Sequence, residues 1–296
     1  MTTPNKKKPT ILDLLERKRS GRKITMVTAY DYAFATLVDA VDIDMILVGD
    51  SGAMTTLGYE TTVPVSMDEM LTMARAVARG ARHTFLVGDM PFLSYEVSAD
   101  RAVENAGRFL KEAGMDAVKL EGGRRSAATV GAIVRAGIPV MGHIGLTPQS
   151  ISQLGGFRVQ GRDVDSARAL VEDALALQEA GVFSIVLEAV PAALGRMITE
   201  AIRVPTIGIG AGPDCDGQVL VLHDLLGLFE RFVPKFVKRY AALGAAAQEA
   251  LGRFATEVRD GSFPAPEHCY TMKAEDAAAL REALLRSGLL GTEAPA

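Results

Sequence analysis

Asp50, Asp89 and Glu121 each stand at or just past the end of an apolar run, the runs being Met45–Val48, Phe85–Val87 and Ala117–Leu120. On neighbouring parallel strands those three carboxylates would share one rim, where they repel and raise one another's pKa values unless a cation sits among them. A donor set made only of oxygens suits Mg²⁺, which keeps positions open for water or substrate oxygens. The competing reading is structural: Lys119 and nearby arginines neutralise the network without any metal.

Glu188 ends a further run, Ser184–Leu187, and is flanked by Leu187, Ala189 and Val190. Partial desolvation of that kind suits a carboxylate to general-base work. The plainer alternative is an N-cap for the helix after Pro191. His143 follows Gly142 at the end of Ile138–Met141 and can be an acid, a ligand or a hydrogen-bonded rim residue, the last being favoured. Gly208-Ile209-Gly210-Ala211-Gly212 lacks the G-x-G-x-x-G spacing and comes late in the chain, so it reads as a place of close backbone approach rather than a nucleotide loop. Asp214 and Asp216 beside it read as turn residues.

The elements that must position these side chains alternate between about residues 24 and 210. Strand-like runs at Ile24–Ala29, Met45–Val48, Phe85–Val87, Ala117–Leu120, Ile138–Met141, Ser184–Leu187 and Thr206–Ile209 are apolar throughout, as parallel strands buried on both faces are. Val219–Leu222 is a weaker eighth. Between them, Met70, Met73, Ala74 and Val77 keep helical spacing behind a Ser66/Glu69 capping box, and Val103, Ala106, Gly107, Leu110 and Val130, Ile133, Val134, Gly137 repeat it. Gly80, Gly114, Gly137 and Gly181 read as helix C-caps. Serial βα units with eight strands predict a closed (βα)₈ TIM barrel, an α/β fold whose catalytic side chains gather at the carboxyl ends of the strands. The expected organisation is one domain over 1–296: a tail and lead-in helix at 1–22, the barrel at 23–232, and carboxyl-terminal helices and tail at 233–296. Helices are expected at 235–259 and 274–288, serving oligomer contacts or barrel packing.

Composition excludes several classes. The 296 residues are 48% hydrophobic and 23% charged, an ordinary globular balance. Lysine and arginine number 32 against 36 aspartate and glutamate, a net charge of −4, and Lys6-Lys7-Lys8 is an isolated cluster, so nucleic acid is not an expected partner. Cys215 and Cys269 are too few and too far apart for a disulfide framework or a zinc site. No leader-like apolar segment or membrane-length run occurs, and the expectation is a soluble, cytoplasmic protein.

Several stretches taken together resemble the ketopantoate hydroxymethyltransferase family. They are Thr28-Ala29-Tyr30-Asp31, Val48-Gly49-Asp50-Ser51, Lys119-Leu120-Glu121-Gly122-Gly123, Gly142-His143-Ile144-Gly145-Leu146-Thr147-Pro148-Gln149, Val159-Gln160-Gly161-Arg162, Leu187-Glu188, Ile207–Gly212 and Asp216-Gly217-Gln218. They run in family order from residue 11 to about 270. The resemblance implies a barrel of the phosphoenolpyruvate/pyruvate type and a Mg²⁺-dependent transfer of the one-carbon unit of 5,10-methylenetetrahydrofolate to C3 of 3-methyl-2-oxobutanoate, giving 2-dehydropantoate in pantothenate synthesis. It implies Asp50 and Asp89 as metal ligands with Glu121 completing the set. Asp50, Ser51, Asp89 and Lys119 would hold the keto acid, Glu188 would accept the proton, and His143 and Tyr30 would support them from behind. It also implies a homodecamer of pentameric rings. One departure is Gly52-Ala53, where the family usually reads Leu-Gly, and the segment after Tyr270 falls outside the match. Two rivals stand beside this reading: another Mg²⁺-dependent aldolase, lyase or phosphomutase of the same barrel type, and a non-catalytic metabolite-binding barrel.

Overall fold

Eight parallel strands close on themselves, each pairing with the next in sequence and the last with the first. They are β1 (Ile24–Thr28), β2 (Met45–Val48), β3 (Phe85–Asp89), β4 (Ala117–Glu121), β5 (Val140–Gly145), β6 (Ser184–Glu188), β7 (Thr206–Ile209) and β8 (Gly217–Leu220). The computed structural model describes residues 7–151, 156, 158–229, 231 and 233–291; Lys6 and the barrel boundary expected at residue 232 lie outside the described residues. Helices follow the first six strands, at Tyr32–Asp39, Met67–Gly80, Ala99–Ala113, Ala127–Arg135, Val164–Ala180 and Ala192–Ala201. Among the described residues β7 passes to β8 without a helix, and β8 leads into a single turn, Leu222–Leu225.

The strands are apolar because both their faces are covered. Val27, Ile46, Leu86 and Val118 pack outward against Met70, Phe109 and Ile133 of the surrounding helices. Met26, Met45, Val87, Met141 and Ile207 fill the interior together with Leu14 of the lead-in helix Ile11–Ser20. That helix lies across the amino ends of the strands. Arg17 bonds Asp44, which precedes β2, at 2.7 Å, and Lys18 bonds Asp216, which precedes β8, also at 2.7 Å. Asp216 is therefore more than a turn residue: the same carboxylate accepts the Thr206 N–H at 2.8 Å, tying β7, β8 and the lead-in helix together.

Some boundaries differ from expectation for local reasons. β5 starts at Val140 because Gly137 is still turning (φ 86°) and Pro139 has no N–H to give. It runs on to Gly145, so His143 lies within the strand, opposite Glu121 on one side and Val186 on the other. Gly80 belongs to its helix, which is capped by Ala81, whereas Gly114, Gly137 and Gly181 take the positive φ expected of them. The capping box forms, with Ser66 N donating to Glu69 at 2.8 Å and Glu69 N to Ser66 Oγ at 3.3 Å.

The chain divides into two compact units, one up to Ala242 and one from Leu243. The helix expected over 235–259 begins only at Leu243; the residues before it are held to the first unit, Tyr240 N donating to Leu225 O at 2.8 Å. The second unit holds helices Leu243–Asp260 and Ala274–Arg286, neither with a buried residue. No helix among the described residues is long and apolar enough to cross a membrane.

Candidate active site

The carboxyl ends of the strands surround a cavity of about 660 Å³ lined by Asp50, Ser51, Asp89, Lys119, Glu121, His143 and Glu188. All seven residues singled out from the strand ends therefore face one space. Tyr30, just after β1, is buried beneath it and bonds Ser51 Oγ at 2.8 Å. Burial pushes the Tyr30 phenol up to about 12, so it serves as a neutral donor or acceptor.

The floor is strongly charged and almost dry. Asp89 Oδ1 lies 2.7 Å from Lys119 Nζ, both side chains at most 4% exposed. Asp89 Oδ2 accepts the Asp50 backbone N–H at 3.1 Å, which links the ends of β2 and β3. Burial pushes Asp89 up to about 7 against the pull of Lys119. Burial also draws the Lys119 ammonium down, but Asp89, Glu121 and Asp50 outweigh it and hold it above its ordinary value. His143 bridges the floor and the far wall: Nδ1 is 3.4 Å from Glu121 Oε1, and Nε2 is 3.2 Å from Glu188 Oε2. Burial and Lys119, whose Nζ is 3.4 Å from Nδ1, lower its pKa, yet the two carboxylates prevail and raise it to about 9.

Glu188 differs from the others in being partly open to the cavity, with 16% of its side chain exposed. The helix after it, Ala192–Ala201, is capped at Pro191 without any side-chain bond, so Glu188 is not spent on capping. The backbone around it is closely fitted. Ala189 sits at φ 47°, a left-handed conformation that costs an alanine about 1 kcal/mol. Its N–H donates to Ile209 O and its carbonyl accepts from Gln160 N, both at 2.9 Å, which fixes the turn. Gly145 on β5 has φ 95°, and a Cβ there would stand 2.2 Å from the Glu188 carbonyl. Only glycine allows the two strand ends to approach this closely.

Gln149 holds two of the carboxylates and was not among the candidate residues. It is 4% exposed, in the turn Pro148–Ser150 after β5. Its Nε2 donates to Asp50 Oδ2 at 3.1 Å and to the Met90 carbonyl at 3.0 Å. Its Oε1 accepts from Tyr95 OH at 2.8 Å, and its backbone N–H donates to Glu121 Oε2 at 3.1 Å. Tyr95 in turn accepts the Glu121 N–H at 3.2 Å. The Met90 carbonyl can only accept, which settles the orientation of the amide. The sequence signal was its place in the Gly142–Gln149 block; the partners 54 and 99 residues away were not legible.

The loop after β2 is closely fitted at Gly52, the first residue of the Gly52-Ala53 departure. A Cβ on Gly52 would fall 2.7 Å from the Tyr30 ring and 2.9 Å from Met73 Sδ, so a larger residue here would require these side chains to shift. At the other side of the mouth, the Phe236 ring lies over Gly210, where a Cβ would come within 2.5 Å. The glycine-rich segment thus admits a neighbouring loop.

Among the described residues, no three His, Cys, Asp or Glu side chains form a ready-made metal cage. The residues nevertheless fit a hard divalent cation that shares its shell with substrate and water. Asp89 Oδ1 and Glu121 Oε1 are buried oxygens that accept no well-formed hydrogen bond, their contacts being the Lys119 Nζ ion pair for the first and His143 Nδ1 at 3.4 Å for the second. Asp50, Asp89 and Glu121 gather on the floor around the single ammonium of Lys119, a set of oxygen donors suited to a hard cation.

Comparison with known proteins bears on the fold and the family. Phosphonopyruvate hydrolase, solved in complex with oxalate and Mg²⁺, superposes with a TM-score of 0.59 at 16% identity, covering 93% of this chain and 98% of that one. The 2,3-dimethylmalate lyase of the PEP mutase/isocitrate lyase superfamily gives 0.57 at 14%, covering 96% and 100%. At such identities the likeness establishes the barrel type. The 3-methyl-2-oxobutanoate hydroxymethyltransferase of Heliobacterium modesticaldum is 59% identical over 269 residues, 91% of this chain and 98% of its own. The enzyme of that name from Moorella thermoacetica is 60% identical over 261 residues, 88% of this chain and 97% of its own. The sequence model described as ketopantoate hydroxymethyltransferase matches residues 8–266, which leaves the helix Ala274–Arg286 outside it. A match spanning the whole barrel, together with relatives this similar along nearly their full length, means that the chain belongs to the ketopantoate hydroxymethyltransferase family of transferases.

Proposed function

We propose that the protein transfers the one-carbon unit of 5,10-methylenetetrahydrofolate to C3 of 3-methyl-2-oxobutanoate, forming 2-dehydropantoate. The single observation that carries this reading is the division of the mouth into a buried, charged floor and the more open Glu188 across from it. The floor has the chemistry to fix the carboxylate and keto oxygens of an α-keto acid, leaving C3 for Glu188. Asp50, Asp89 and Glu121 would hold Mg²⁺, which supplies positive charge beside the keto oxygen where enolate charge grows. Ser51 and Lys119 bind the keto acid, and Lys119 adds a second, preorganised positive charge. Glu188 takes the C3 proton, held in place by His143 Nε2 3.2 Å away. The carbanionic C3 then bonds to the methylene carbon as its two C–N bonds to the folate break, water supplies the hydroxyl group, and the proton from C3 and the remaining proton of water end on the two folate nitrogens as tetrahydrofolate leaves.

The cell setting proposed is the cytoplasm, and the assembly a homodecamer of pentameric rings. Leu251, Phe254 and Val258 support assembly through the carboxyl-terminal helices, since they form an exposed apolar stripe on Leu243–Asp260 at helical spacing.

Proton NMR of 3-methyl-2-oxobutanoate in D₂O tests the reading. The protein with Mg²⁺ should erase the C3–H signal, and EDTA should preserve it. Exchange absent even with tetrahydrofolate present would move the reaction to a different α-keto acid. Gln149 yields a separate prediction. Gln149→Met removes the bonds to Asp50, Met90 and Tyr95 at similar volume, and should weaken Mg²⁺ binding in the presence of keto acid by about 10- to 100-fold. Calorimetric titration checks it: an unchanged affinity with only a lower Tm would make Gln149 a packing residue.

A further inference from the structure

We propose that Asp224 anchors the one-carbon donor by the N–H-rich edge of its 2-amino-4-oxopyrimidine ring, in a subsite of the mouth apart from the charged floor. The inference rests on the reading of a reduced folate as co-substrate and names the group that would recognise it.

Asp224 lies in the turn Leu222–Leu225 after β8 and lines the same cavity as Glu188 and Asp50. It is only 8% exposed, and its carboxylate makes no hydrogen bond or ion pair among the described residues. The turn is entered at Val221 without any side-chain cap, so Asp224 has no local structural task. A buried carboxylate without donors is costly and is retained where a ligand supplies them. Burial pushes Asp224 up to about 6, with Arg239 offsetting only part.

The ligand must carry donors. An α-keto acid offers only acceptor oxygens, so Asp224 has nothing to give it and would repel its carboxylate. A 2-amino-4-oxopteridine instead presents an amino N–H and the adjacent ring N–H side by side, a pair that matches the two oxygens of one carboxylate. The rest of the cavity suits the remainder of such a molecule. Val221, Phe229, Pro234 and Phe236 provide apolar walls for a flat bicyclic ring. Arg158 and Lys235 line the cavity with no ion pair among the described residues, and would meet the carboxylates of a glutamyl tail.

The test is calorimetric titration of tetrahydrofolate into the full chain with Mg²⁺ and 3-methyl-2-oxobutanoate present. Asp224→Asn should weaken tetrahydrofolate binding by about 10- to 100-fold while leaving the affinity for the keto acid unchanged. The 2-desamino-2-methyl analogue of tetrahydrofolate should bind the unaltered protein more weakly by a similar factor and be indifferent to Asp224→Asn. The analogue decides the matter even where the variant fails to fold. Equal binding of tetrahydrofolate and the analogue to the unaltered protein, or undiminished tetrahydrofolate binding by Asp224→Asn, overturns the anchor but not the folate reading. A protein that exchanges the keto acid's C3 proton yet binds no tetrahydrofolate overturns both.

Discussion

Glu188→Gln is expected to slow C3 deuterium exchange of 3-methyl-2-oxobutanoate by about 10²- to 10⁴-fold, the contribution of a well-placed general base. Glutamine keeps the length and one acceptor oxygen but cannot take up a proton. Glu188 makes no bond to the charged floor except through His143, so the keto acid and Mg²⁺ should bind as before. This selectivity separates the rival readings. A metabolite-binding barrel would scarcely respond, whereas an enzyme should retain its ligands and lose the proton transfer. Exchange persisting at the original rate in Glu188→Gln would assign the base to another residue.

The second large effect is expected at Lys119. Lys119→Met leaves Asp89 buried, 1% exposed, with its charge partner gone. Breaking a buried pair in this one-sided way costs about 3–5 kcal/mol of stability, because the remaining charge has neither water nor a counterion. The floor already carries more carboxylates than cations, so the loss should fall at the upper side. Mg²⁺ should raise the Tm of the variant more than that of the unaltered protein, since added positive charge substitutes in part for the ammonium. Thermal denaturation with and without Mg²⁺ checks both statements; equal melting temperatures for the two proteins would show that the pair carries no structural weight.

Much of the fold was legible because each strand is short, apolar throughout and punctuated by a polar side chain. Asp50, Asp89, Glu121 and Glu188 stood out as a set, because one carboxylate ending a strand can be a helix N-cap whereas several gathered at one rim are poorly explained that way. His143 was harder to place, since Pro139 delays β5 and carries the strand past it. Gln149 and Asp224 escaped for different reasons. The role of Gln149 depends on Tyr95, Met90 and Asp50, which only the closed barrel brings to it. Asp224 follows the weakest strand, whose true start at Gly217 is set by pairing with Ile24 rather than by its own composition. Residues 235–242 have the composition of the helix they precede, but bonds such as that of Tyr240 to Leu225 draw them to the barrel.

The lead-in helix has a kinetic consequence. With Leu14 seated among the interior side chains and Arg17 and Lys18 pinned to Asp44 and Asp216, the amino end of the barrel is stoppered. Traffic in both directions then uses the opposite face, and with the folate seated as proposed, above the floor, the keto acid travels past it. The keto acid should accordingly enter first and its product depart last, an ordered sequential scheme. Product-inhibition kinetics would reveal it as competition between 2-dehydropantoate and 3-methyl-2-oxobutanoate alone, whereas random patterns would mean that the larger substrate leaves a passage beside it.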